Sequence, residues 1–163
     1  WREKADASAS TRAVFVTNTT FRACPWADAL YALDRAWWDT HLSEVRSVFK
    51  GLLVTPQIIP GIRREMAWLD GQRTNSGAAL IAQAAWWGVR RVVLLGFDCS
   101  HTGGRTHWHG SHPAHLGDAA GVAEWPAQFR AILPHLAGVE VVNASRVSAL
   151  DMFPRQPLEL ALA

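Results

Sequence analysis

Apolar residues fall along the chain in short blocks, separated by polar and helix-breaking residues. Ala13-Val14-Phe15-Val16-Thr17 is a β-rich run that closes in Asn18-Thr19-Thr20. Pro25-Trp26-Ala27-Asp28 reads as a turn, and Ala29 to Leu33 as a second buried strand ending at Asp34; so short an apolar run is also compatible with helix. From Arg35 to Phe49, the residues Trp37, Trp38, His41, Val45 and Val48 recur near the helical period, which predicts an amphipathic helix. Lys50-Gly51 then supplies a cation followed by glycine, a common helix stop. Leu52-Leu53-Val54-Thr55 is a third strand. Pro56, Pro60 and Gly61 interrupt regular structure beyond it, leaving residues 61–72 irregular or an edge hairpin.

The second half repeats the alternation. A polar turn, Thr74-Asn75-Ser76-Gly77, opens an Ala-rich helix that runs to Trp87 and stops at Gly88. Val92-Val93-Leu94-Leu95 is apolar on both faces, as a central parallel strand is. A polar loop covers 97–119. Gly121 to Leu136 reads as helix, with Pro126 in its first turns and Gly138 beyond its end. Val139 to Asn143 is the last strand, Ser145 to Phe153 a loop, and Leu158 to Leu162 a terminal helix. Residues 1–12 are polar and read as a flexible or helical lead-in. Strand–helix alternation with short connections predicts one α/β domain over 1–163, a Rossmann-like three-layer α/β/α fold with a mostly parallel sheet.

Composition narrows the function classes. A chain of 163 residues with 49% hydrophobic content can bury a substantial core. A net charge of +2 is too small to argue for nucleic acid or an anionic membrane as partner. No apolar run approaches the roughly 20 residues of a membrane span, and no signal-peptide pattern opens the sequence. Cys24 and Cys99 do not make a disulfide framework, so a reducing cytoplasm is the expected setting. A homo-oligomer is compatible with this composition. The nine tryptophans read first as buried structural residues.

The chemistry concentrates between Arg73 and His112. Asn75 or Ser76 can cap the helix through a side-chain oxygen, and the free N–H groups and positive dipole end beside them favour an anion such as phosphate. Arg73, just upstream, could add a bidentate phosphate contact. The strand ends in Gly96-Phe97-Asp98, a carboxylate where open α/β sheets build ligand sites. Asn18-Thr19-Thr20, at the end of the first strand, reads equally as a base- or ribose-binding group and as a closing turn.

Five of the seven histidines lie between His101 and His115, around Thr106-His107-Trp108-His109-Gly110-Ser111-His112. Three readings stay open. One imidazole can act as a general base near neutral pH. His107, His109 and His112 can ligate zinc. The segment can equally be a polar loop. The run is close to the T-H-x-H-x-D-H motif of metallo-β-lactamase-like hydrolases, with Ser111 where that motif has Asp and no clear downstream ligand set.

The series R-x-x-S-G, an Ala-rich helix, a hydrophobic strand closing in G-F-D, and H-W-H-G resembles the bacterial sialyltransferases. It is also similar to motility-associated flagellin glycosyltransferases, to 6-hydroxymethylpterin pyrophosphokinase-like proteins, and most of all to phage and prophage proteins of that group. The resemblance covers about Val14 to Phe153. It implies that Asn18 and Asp34 contact a nucleotide, that Arg73 is an active-site arginine, that Asn75-Ser76-Gly77 turn at the nucleotide, and that His107 is the general base for an acceptor hydroxyl. From their positions alone, Asp98 is read as a further nucleotide contact and His109 and His112 as substrate-binding. The families' Gly-rich first strand, roughly G-x-G-P-S, has no counterpart here. Nor have their leaving-group tyrosines, since Tyr31 is the one tyrosine of the chain.

Three expectations result. The first is a glycosyltransferase-like enzyme taking a nucleotide sugar as substrate, CMP-activated if it follows the sialyltransferases, and needing no cofactor. The second is a non-catalytic phage accessory protein that keeps the fold. The third is a metal-dependent hydrolase using the histidine loop, with zinc as its ion.

Overall fold

Among the described residues there are six strands, most of them short β-rich runs bounded by breakers, and every pairing among them is parallel. The computed structural model describes residues 12–65, 73–101, 103–104, 107–117 and 121–163. The chain divides into two compact units, Trp1–Asp70 and Gly71–Ala163. The lead-in expected over residues 1–12 lies, apart from Arg12, outside the described residues.

The first unit is a four-stranded sheet in the order β1 (Phe15–Thr17), β2 (Ala29–Tyr31), β3 (Leu52–Thr55) and β4 (Arg63–Arg64). Parallel neighbours require a crossover. Between β2 and β3 it is helix α1 (Arg35–Val48); between β1 and β2 it is a 3-10 turn, Asn18–Arg22, and an irregular return. All of β2 is buried, and α1 buries Trp37, Trp38, His41 and Val45, while Val48 is exposed. Trp37 meets Trp38 edge-on at 5.0 Å, and the Trp38 indole N–H donates to the Ala32 carbonyl at 3.0 Å. The predicted stripe is therefore one residue too long at its C-terminal end.

Two expectations for this unit need correction. Gly51 does not stop α1: the helix ends at Val48, and Phe49 is already extended and buried. Gly51 is needed for close approach instead. A Cβ there would lie 2.3 Å from the Ala27 carbonyl oxygen and 2.6 Å from that of Asp28, because Leu52 N–H bonds the Asp28 carbonyl directly alongside. Residues 61–65 do not form a hairpin, and 66–72 lie outside the described residues. β4 runs parallel to β3. It pairs only with Val54 and Thr55, so the chain has almost no distance to travel back, and seven residues suffice for the connection.

The second unit contains α2 (Ser76–Trp86), β5 (Arg91–Leu94), α3 (Trp125–Ala131), β6 (Glu140–Asn143) and a last helical turn, α4 (Leu158–Ala161). α2 ends as its sequence predicts: Gly88 adopts φ +88° and its N–H bonds the Ala85 carbonyl. β5 pairs with β6 in a two-stranded parallel sheet. It is not buried on both faces: Arg91 is exposed, Val92 and Val93 are half-buried, and Leu95 just past its end is exposed, with β6 its single strand partner among the described residues. The helix predicted over 121–136 is broken into a 3-10 turn, Val122–Glu124, then α3, then a second 3-10 turn, Leu133–Leu136. Pro126 sits in the first turn of α3 as expected, but Pro134 has no N–H for the next helical bond and would clash with the preceding turn. Among the described residues no helix is long and apolar enough to cross a membrane.

The Gly51 contact generates a stability prediction. Gly51→Ala forces a methyl against fixed backbone and should lower the unfolding free energy by about 2–3 kcal/mol. Urea denaturation checks it, and a loss under about 0.5 kcal/mol, the range of neutral surface changes, would remove the close-approach account.

Candidate functional site

In the first unit, the parallel register carries the expected nucleotide residues to one edge. Thr17 pairs with Tyr31, so Asn18, next after β1, and Asp34, three residues after β2, both follow the C-terminal ends of adjacent strands. That is the side on which parallel sheets place ligands. Asn18 adopts φ +46°, a left-handed conformation that a non-glycine residue takes at some strain. Its Oδ1 is buried and accepts no hydrogen bond from the described residues. Asp34 stands at the N-cap of α1 but makes no side-chain cap bond. Although the residue reaches solvent, partial desolvation raises its carboxyl above the usual carboxylate range. Both side chains thus carry polar groups that the fold itself does not use.

In the second unit, Asn75 caps α2. Its Oδ1 accepts from Ala78 N–H at 3.0 Å, and its Nδ2 donates to Gln128 Oε1 at 2.9 Å. Of the two cap candidates it is Asn75, not Ser76, that serves; Ser76 is buried. Gly77 is packed: a Cβ there would stand 2.8 Å from the Phe97 ring and 3.2 Å from Phe129. Those two rings meet edge-on at 5.9 Å, so aromatic carbon covers the first turn of the helix. Arg73 is exposed.

Asp98 lines an open cleft of about 940 Å³ past the ends of β5 and β6, together with Leu95, Ser145, Arg146, Arg155 and Glu159. The volume is at the upper end of ordinary ligand sites. Its walls hang on Asn143, which is fully buried. The Asn143 Oδ1 accepts from Ser145 N–H at 3.0 Å and its Nδ2 donates to Ser148 Oγ at 2.9 Å. Ser148 Oγ donates to the Phe97 carbonyl at 2.6 Å, and Ser145 Oγ accepts from Phe97 N–H at 2.9 Å. The Arg155 Nη2 bridges the carbonyls of Ser145 and Arg146 at 2.8 and 2.6 Å. Ser145, Arg146 and Arg155 were not legible as site residues. The one available signal was a polar Asn-Ala-Ser closing an apolar strand, which by itself reads as an ordinary strand end.

The histidine loop supplies a separate cluster. His107, His109 and His112 converge, with ligand nitrogens all within 4.8 Å of one another, and all three are half-buried. None of them, and none of Arg73, Asn75, Ser76 and Gly77, lines the cleft that holds Asp98. Cys99, next to Asp98, takes φ +49°, and burial together with the Asp98 charge pushes its thiol up to about 12. No protein-family model, curated protein or solved structure matches the chain.

Two predictions arise here. Asn143→Ala leaves the partners of one buried amide unsatisfied and should cost about 2–4 kcal/mol in urea unfolding; a neutral result would mean that the cleft walls are held elsewhere. The raised thiol of Cys99 should leave only about one part in 10⁴ as thiolate at pH 8, since ionisation begins far above that pH. In Cys24→Ala protein, iodoacetamide alkylation at pH 8 should therefore be far slower than for a free thiol of pKa about 8.5; reaction at the free-thiol rate would refute the buried assignment.

Proposed function

We propose that the protein binds a nucleotide or nucleotide sugar and acts as a glycosyltransferase-like enzyme. The observation that carries this reading is Asn18. A strained asparagine at the end of a parallel strand, with a buried oxygen to which no described residue donates, supports the reading of a group held for a ligand. Asp34, at the end of the neighbouring strand and unused by the helix it precedes, supports the same edge as a base- or ribose-recognising surface. A base offers N–H donors to both oxygens, and a ribose offers hydroxyls. For the second unit, taken by itself, the sialyltransferase resemblance implies that Arg73 is an active-site arginine and His107 the acceptor's general base, while the strand-end position of Asp98 suits a nucleotide contact. The Rossmann-like three-layer arrangement and a cytoplasmic setting belong to the same proposal; free Cys24 and Cys99 suit a reducing compartment.

Calorimetric titration with CMP, CDP and UDP tests it. At least one should bind, and Asn18→Ala should weaken that binding by about tenfold or more, the worth of one hydrogen bond to a desolvated acceptor. Asn18→Gly separates binding from folding. Glycine accepts the left-handed backbone, so stability should hold within about 1 kcal/mol while affinity falls as in the alanine variant. Absence of heat with all three nucleotides at millimolar concentration would end the proposal.

A further inference from the structure

The loop after β5 folds on itself within six residues. The Gly110 N–H closes a turn onto the His107 carbonyl at 3.4 Å, with Trp108 and His109 at its corners. Gly110 itself adopts φ +88°, a conformation open to glycine and strained for other residues. The turn sends Trp108 outward, where it is 60% exposed, and leaves His107 and His109 on the same side. Their rings lie parallel within 8° at a centroid separation of 5.0 Å. His112, after the reversal at Gly110, brings its ring 4.5 Å from His107 and 4.8 Å from His109.

These separations match a known chemical target. Three imidazoles bound tetrahedrally at a metal–nitrogen distance of about 2.05 Å have nitrogens about 3.4 Å apart and ring centroids about 5 Å apart. The three centroid distances, 4.5, 4.8 and 5.0 Å, lie near that value, but the stacked His107 and His109 rings must turn out of parallel before both planes contain one ion. The nitrogens, all within 4.8 Å, need a movement of roughly 1.4 Å at most, which rotation about the side-chain bonds supplies without displacing the turn. Among the described residues no other trio of histidine, cysteine or acidic side chains converges in this way.

We propose that His107, His109 and His112 form a binding site for one divalent transition-metal ion, with zinc the best match. Neutral nitrogen donors without a carboxylate or thiolate select the borderline first-row ions over magnesium and calcium, which require oxygen. Three protein ligands leave a fourth tetrahedral position open, the arrangement of reactive rather than purely structural zinc sites. A metal there lowers the pKa of a water or hydroxyl that occupies the open position. The ion then takes over the proton-removing role that the nucleotide reading gives to His107, whose coordinating nitrogen is engaged. Metal binding rests on the loop geometry alone and does not depend on the nucleotide reading.

The test uses the full chain without a polyhistidine tag, stripped with a chelator and dialysed against Zn²⁺ or Co²⁺. Elemental analysis should find one ion per chain. The Co²⁺ form should show the intense visible absorption of a four- or five-coordinate site. His107→Ala, His109→Ala and His112→Ala should each weaken binding by more than the roughly 10–100-fold typical of losing an outer hydrogen-bond partner of a metal ligand. His101→Ala and His115→Ala, in the same region but outside the trio, should bind as the parent does. Far-below-stoichiometric metal in the parent protein overturns the site whatever the variants do. So does a loss shared equally by the control variants. CMP titration of the same samples separates the two proposals, since metal binding without nucleotide binding leaves this site standing and removes only the nucleotide reading.

Discussion

The Asn143 side chain is the point on which the cleft end of the second unit depends. β6 ends there, with the amide buried completely and bonded on both sides. Its main chain also accepts Gln156 N–H and donates to the Pro154 carbonyl, so the returning C-terminal segment is tied to the same residue. Through Ser145 and Ser148 the segment after β5 is held at Phe97. A buried amide is tolerable only when its donors and acceptors are met, and meeting them fixes two loops at once. The cleft that holds Asp98 and Arg155 is the space those two loops leave.

The first unit is organised differently. Its sheet is held by contact between apolar surfaces: all of β2, the Trp37 and Trp38 pair, and the close backbone approach at Gly51. Polar groups that the packing does not need gather at the ends of β1 and β2. Asn18 carries backbone strain and an oxygen to which no described residue donates, and Asp34 carries a carboxyl that partial burial makes harder to ionise. Such features work against stability and persist where surrounding structure holds them in place, which is the usual relation between a packed core and a binding edge.

The histidine cluster obeys a third logic. It is built by one short stretch and a single left-handed glycine, with no strand end or helix dipole involved. Earlier in the same loop, partial burial and the charge of Asp98 disfavour the thiolate of Cys99. What the imidazoles can do is set by how closely three nitrogens approach.

Local order determined much of what could be anticipated. The strand after Val14, the helix from Arg35, the stop at Gly88 and the entry of α3 at Pro126 all depend on residues within one turn of each other, so periodicity and capping reveal them. The histidine trio was visible for the same reason, since its three members lie within six residues. The features that the linear order concealed depend on partners far along the chain. Gly51 serves the backbone at Ala27 and Asp28, not the helix it succeeds. Asn75 was chosen as cap over Ser76, and Gly77 was closed in by Phe97 and Phe129 from other elements. The apolar run of β5 promised burial on both faces, but only β6 pairs with it among the described residues, leaving Leu95 to line a cleft. Residues near in sequence carry their own hydrogen-bonding and steric rules, whereas the neighbour that fills or empties a given space is chosen only when distant segments pack.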